Sequence, residues 1–153
     1  MSYVFGLAST KQRSTLHPHL QAILVRTLAT DDFVILEGAR DYARQAAAFA
    51  AGTSKIDPAK GPWPHMIRKD GYAWAADLHP YINGKPLDTT SFGPAQQAQF
   101  AWFLRRVKEV GIAYFHTREL PYHLRFGVDW DEDNVILTDQ TFQDWFHVEM
   151  VRN

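Results

Sequence analysis

The sequence predicts a single α+β domain, with helices packed on a mainly antiparallel sheet. Three observations carry this expectation. Short apolar or alternating runs recur between turn residues, as strands require. Longer segments repeat apolar residues at helical spacing. The 153 residues are 46% hydrophobic and 14% aromatic, enough for one core and too few for a second sizeable domain.

Each element has its own signal. In LHPHLQAILVRTLAT, Leu16, Leu20, Ile23, Leu24 and Leu28 share one helical face. A helix is expected from about residue 10 to 29, its regular part starting near Pro18. FVILEG, Phe33 to Gly38, reads as a short buried strand, with Arg40 just beyond it. DYARQAAAFAAG is a strong helix former that Gly52 can cap. Residues 53–71, rich in Pro and Gly, form a loop long enough to suggest function.

Tyr72 to His79 alternates. Tyr72, Trp74, Ala76 and Leu78 take one face; Ala73, Ala75, Asp77 and His79 take the other. The small residues beside Asp77 leave space for a ligand, as in a sheet that lines a cleft. Asn83-Gly84 signals a hairpin. Pro94 opens a helix striped by Phe100, Phe103, Leu104, Val107 and Val110, and Gly111 is expected to end it. IAYFH and HLRFGVDW read as strands separated by Pro121. Asp129 to Asn134 is an acidic turn, Thr138 to Asp144 is irregular or one helical turn, and Trp145 to Met150 is the closing strand.

Composition removes several function classes. Sixteen basic and seventeen acidic residues give a net charge of -1, so no strong field for nucleic acid or an anionic membrane exists. Arg105, Arg106 and Lys108 read as a solvated helix face. The absence of cysteine excludes disulfides, thiolate nucleophiles and thiolate-bound metal. The N-terminal MSYVFGLASTKQRS lacks a long apolar core, and no run of about twenty apolar residues occurs. Synthesis in the cytosol and a monomeric state are expected.

What remains is histidine and carboxylate chemistry. His65, Asp77 and His147 would form a two-histidine, one-aspartate zinc set, leaving a fourth position open, as hydrolytic zinc sites do. A base is also needed, and Asp144, three residues before His147, is the candidate. Strict alternation puts residues three apart on opposite faces, so Asp144 should precede the regular strand. Glu149 shares a face with His147 and can hold its imidazole. His79 shares the face of Asp77 and is an alternative ligand or a loop-packed residue. Trp74 and Trp145 could line a groove or belong to the core.

The ordered segments FGLASTKQ, Gly38-x-Arg40, AAGTS, AADLHPYINGK, LRFGVDW and DWFHVEM resemble the bacteriophage L-alanyl-D-glutamate endopeptidases. Those endolysins are similar to the zinc D-alanyl-D-alanine carboxypeptidases. The resemblance covers nearly the whole chain. It implies one zinc on His65, Asp77 and His147, Asp144 as base, and Arg40 as a contact for substrate or oxyanion. It also implies cleavage of the L-Ala–D-Glu bond in the peptidoglycan stem peptide. Synthesis in the host cytoplasm and holin-type release to the periplasmic wall follow from it, without a separate wall-binding domain. Carboxypeptidase action on terminal D-alanine is one alternative, and a non-catalytic wall-binding domain is another.

One departure stands out. The family pattern S-x-H-x-x-G-x-A-x-D has histidine seven before aspartate, where this chain has Asp70. His65 lies twelve before Asp77, and Trp63 takes the serine position. A five-residue insertion that keeps His65 as ligand is favoured, with Asp70 as the alternative.

Overall fold

The computed structural model describes residues 2–135 and 144–153. The elements in order are α1 (Leu7–Arg13), α2 (Pro18–Leu28), β1 (Phe33–Glu37), α3 (Tyr42–Ala50), β2 (Ala75–Ile82), β3 (Lys85–Pro86), α4 (Pro94–Thr117), β4 (Tyr122–Phe126) and β5 (His147–Arg152). The sheet runs β1-β2-β5-β4, with β3 folded back on β2, and each of these pairings is antiparallel. One core joins Leu20, Ile23 and Leu24 of α2, Phe100, Phe103 and Val107 of α4, and Leu78, Val148 and Met150 of the sheet. The fold is therefore the expected α+β domain. Among the described residues, no helix is long and apolar enough to cross a membrane.

Three expectations need correction. The single N-terminal helix is two. The chain leaves α1 at Ser14 because Leu16 bridges Ala73: His17 N–H donates to the Ala73 carbonyl, and Ala73 N–H donates to that of Thr15. His17 then caps α2, with Pro18 in its first turn.

Gly111 does not end α4, and IAYFH is not a strand. The helix runs on to Thr117, burying Tyr114 and Phe115 on the same stripe. A Cβ at Gly111 would stand 2.6 Å from Leu124 Cδ1. Glycine sits mid-helix there to let α4 lie close on β4, which offsets its poor helix propensity.

Three strand boundaries also move; the strand expected over HLRFGVDW is β4, which stops at Phe126 before the turn at Gly127. β2 begins at Ala75 and runs through Ile82 to a turn at Asn83 and Gly84, both with positive φ. β5 is His147–Arg152, so Trp145 precedes it. Trp145 packs beside Phe92 and Phe100, and Trp74 is a buried core residue. The expected turn at residues 138–143 lies outside the described residues.

Alternation across the sheet sets up the site. Ala76, Leu78, Val148 and Met150 face the core, so Asp77, His147 and Glu149 face the other way. Register then makes two rows across the strands. Glu37, Asp77 and His147 are Cα partners in one row; Ala75, Glu149 and Arg125 are partners in the next.

Candidate metal centre

His65 comes from the loop between α3 and β2, and hydrogen bonds fasten that loop to the end of β1. Arg40 N–H donates to the His65 carbonyl at 2.9 Å, and Trp63 Nε1 donates to the Arg40 carbonyl at 2.9 Å. His65 Nδ1 donates to the Gly38 carbonyl at 2.7 Å. That bond leaves Nε2 facing Asp77 Oδ1, 3.2 Å away. Gly38 itself admits no side chain, since a Cβ would lie 2.5 Å from the Gln12 carbonyl oxygen. Trp63, standing where the family pattern has serine, thus helps to seat the loop.

His147 approaches from the opposite strand. Its Nε2 lies 3.2 Å from Glu149 Oε1, and its Nδ1 lies 3.7 Å from Asp77 Oδ1. Glu149 is itself paired with Arg125 at 3.3 Å. The His65 and His147 rings meet edge to face at 5.2 Å between centroids. Both histidines are buried, at 4% and 3% exposure.

The ligand-type atoms of His65, Asp77 and His147 all lie within 4.8 Å of one another. Tetrahedral zinc bonds of about 2.0–2.1 Å place ligand atoms about 3.3 Å apart, close to the 3.2 and 3.7 Å separations here. Asp77 Oδ1 is buried and has no well-aligned hydrogen bond, and two imidazole nitrogens face it at 3.2 and 3.7 Å. A buried carboxylate oxygen in that state calls for a partner, and a cation among the three groups would supply it. These residues fit a zinc ion.

Electrostatics agree. Burial opposes the Asp77 charge, but the flanking His147 and His65 outweigh it and hold the carboxyl well below the usual range. Burial alone would lower His147; Asp77 and Glu149 reverse this and push it up to about 9. Burial, and then the charge of Asp77, push the Asp144 carboxyl up. A carboxyl raised in this way suits a proton acceptor working near neutral pH.

Asp144 directly precedes the turn into β5, and its carboxylate accepts from Phe146 N–H at 3.2 Å. Gly127 clamps it. Asp144 N–H donates to the Gly127 carbonyl, and Gly127 N–H donates to that of His147. A Cβ at Gly127 would fall 2.2 Å from the Asp144 carbonyl oxygen. Gly127→Ala is therefore expected to cost about 1–3 kcal/mol of stability. It should also lower turnover by at least about tenfold while metal content holds, because the displaced segment carries Asp144. Metal analysis and kinetics on the same preparation check this.

A cleft of about 640 Å³ opens over the three groups, lined also by Arg40, Gln45, Trp130 and Asp144. Arg40 is held in its wall. It donates to Glu37 through Nε and a terminal nitrogen, at 3.1 and 2.6 Å, and its terminal nitrogen is 3.7 Å from Asp77 Oδ2. The other candidates lie elsewhere. Asp70 accepts from Trp74 Nε1 at 2.8 Å and is not in the group. His79 bonds the Leu87 carbonyl and packs on Phe146.

Sequence reasoning passed over Gly127, Trp130, Arg125 and Gln45. The first three stand in LRFGVDW, which reads as a strand and as part of the resemblance, with no role given to its side chains. Trp130 sets its ring 5.1 Å from that of His147.

Three ligand-type side chains at the floor of a cleft, with a raised carboxyl beside them, form the layout of a metal-dependent hydrolase. The arrangement can hold one metal ion beside a proton acceptor. The family model for phage L-alanyl-D-glutamate peptidases matches residues 1–151, and the chain belongs to that family of peptidases. It is 38% identical over 136 residues to the L-alanyl-D-glutamate peptidase of Escherichia phage T5, covering 86% of this chain and 84% of the relative. In fold it resembles the crystal structure of the Serratia marcescens L-Ala D-Glu endopeptidase ChiX. That match has a TM-score of 0.65 at 20% identity, over 96% of this chain and 89% of the other.

Proposed function

We propose that the protein is a zinc-dependent peptidoglycan hydrolase that cuts the L-Ala–D-Glu bond of the stem peptide during phage lysis. The observation that carries the zinc reading is the close group of His65, Asp77 and His147, in which two imidazole nitrogens face one buried carboxylate oxygen. Choice of bond is supported by family membership and by the activity named for the phage T5 relative. On this reading the protein is made in the host cytoplasm and reaches the periplasmic wall through a holin-type lesion.

His65 Nε2, Asp77 and His147 Nδ1 would hold the zinc. When bound, zinc supplies Lewis acidity toward the scissile carbonyl and the attacking water. The chain's own groups do the rest. Asp144 takes a proton from the attacking water and delivers it to the leaving amine of D-glutamate. Arg40, a fixed cation in the cleft wall, steadies negative charge on the tetrahedral carbonyl oxygen. The Gly38 carbonyl and Glu149 orient the two imidazoles, and Arg125 balances Glu149.

Digestion of purified sacculi, followed by mass spectrometry, tests the reading. The expected products are glycan bearing a terminal L-alanine and peptides beginning with D-glutamate. Release of terminal D-alanine alone would make the protein a carboxypeptidase. Unchanged sacculi with zinc-loaded protein would remove the enzymatic reading.

A further inference from the structure

We propose that Gln45 is a positioning residue that joins Arg40 to the segment 54–56 of the cleft lining and so sets substrate affinity. The inference rests on the peptidase reading and adds a residue to it.

Helix α3 is unusual in what it buries. Tyr42, Ala43, Ala47, Phe49 and Ala50 are exposed, and Gln45 is its one fully buried residue, at 1% exposure. A helix held by ordinary packing turns its apolar side inward. This one turns an amide inward, and hydrogen bonds at that position join the Arg44–Glu37 ion pair and the Tyr42–Trp63 ring contact in holding it against the site.

The amide is fully engaged. Gln45 Oε1 accepts from an Arg40 terminal nitrogen at 2.9 Å. Gln45 Nε2 donates to Ser54 Oγ at 2.9 Å and to the Ile56 carbonyl at 2.8 Å. Gln45, Arg40, Ser54 and Ile56 all line the cleft. The side chain therefore spans from the cation near Asp77 to Ser54 and Ile56, which also line the cleft. No apolar residue of the same size can replace those three bonds, and a buried partner left without one costs about 1–3 kcal/mol.

Three variants divide the roles, each measured with zinc-loaded protein and a soluble L-Ala–D-Glu stem peptide. Gln45→Glu keeps an oxygen for Arg40 and lets the Ser54 hydroxyl turn to donate, but it loses the donation to Ile56 and sets a carboxylate against that carbonyl. Its KM should rise about tenfold with kcat within about twofold, the scale of one or two lost hydrogen bonds. Gln45→Leu also releases Arg40, so kcat should fall about tenfold as well. Ser54→Ala removes one acceptor near the surface and should raise KM about threefold. It keeps the question open to test if a Gln45 variant fails to fold.

Hydrogen exchange on the same proteins supplies a readout independent of turnover. Amides 53–56 should exchange about tenfold faster in the Gln45 variants, while β2 and β5 keep their protection. Wild-type KM in Gln45→Leu, or unchanged exchange at 53–56, overturns the proposal. So does a loss of kcat that merely tracks lost zinc. A wild-type protein that cleaves nothing instead sinks the peptidase reading, and exchange still decides the Gln45 contact.

Discussion

Replacing Asp144 with alanine should lower kcat by about 10³-fold while the protein keeps its zinc. Proton transfer by a positioned side chain is worth about 10²–10⁴-fold, and no other raised carboxyl lines the described part of the cleft. Metal retention follows from geometry, because His65, Asp77 and His147 form the close group without Asp144. The backbone bonds between residue 144 and Gly127 survive the change, so the local chain path is kept. Zinc analysis and single-turnover kinetics on one sample check the result. Wild-type turnover would remove Asp144 as the base, and loss of zinc would make it part of the metal site.

The second large effect is at His147. His147→Ala should weaken zinc binding by more than about 100-fold and abolish activity at stoichiometric zinc. It removes one of three ligand-type groups and leaves Asp77 and Glu149 buried without their shared partner. The wild-type protein carries a linked pH signature. His147 without metal holds its proton up to about 9, since Asp77 and Glu149 favour the imidazolium. Zinc must displace that proton, so affinity should climb with pH up to about 9 and fall on acidification. In the metal-free protein the sign is opposite. The raised pKa stabilises the fold below the unfolded value, 6.5, and that contribution is lost as pH rises through about 9. Calorimetry in buffers of different ionisation enthalpy should detect proton release on zinc binding. Its absence would mean that His147 is already neutral or does not bind.

Much of the fold was legible because its signals are local. Alternation in AADLH and HVEM assigned side chains to faces, and the observed register keeps those assignments. Pro94 announced the start of α4. The end of that helix was misread because Gly111 is a helix stop by propensity. It is tolerated here by a close contact with Leu124, distant in sequence. The break between α1 and α2 was missed for the same kind of reason, since it depends on Leu16 meeting Ala73.

In the loop, the sequence favoured His65 as the ligand through a five-residue insertion and kept Asp70 as the alternative. Hydrogen bonds to Gly38 and Arg40 bring His65 inward, and Trp74 draws Asp70 away. Gln45 left no trace in the sequence, because a glutamine in an alanine-rich helix reads as a surface residue.

By itself the sequence determined the residue types for the chemistry, the faces they share along each strand, and the absence of thiol chemistry. Those follow from composition and from a side-chain period of two. Tertiary structure alone decided that a loop imidazole, a strand carboxylate and a C-terminal imidazole meet within one small volume. That meeting depends on the β1-β2-β5 strand order and on a loop pinned by its backbone. Such contacts join residues dozens of positions apart, and no local pattern encodes them.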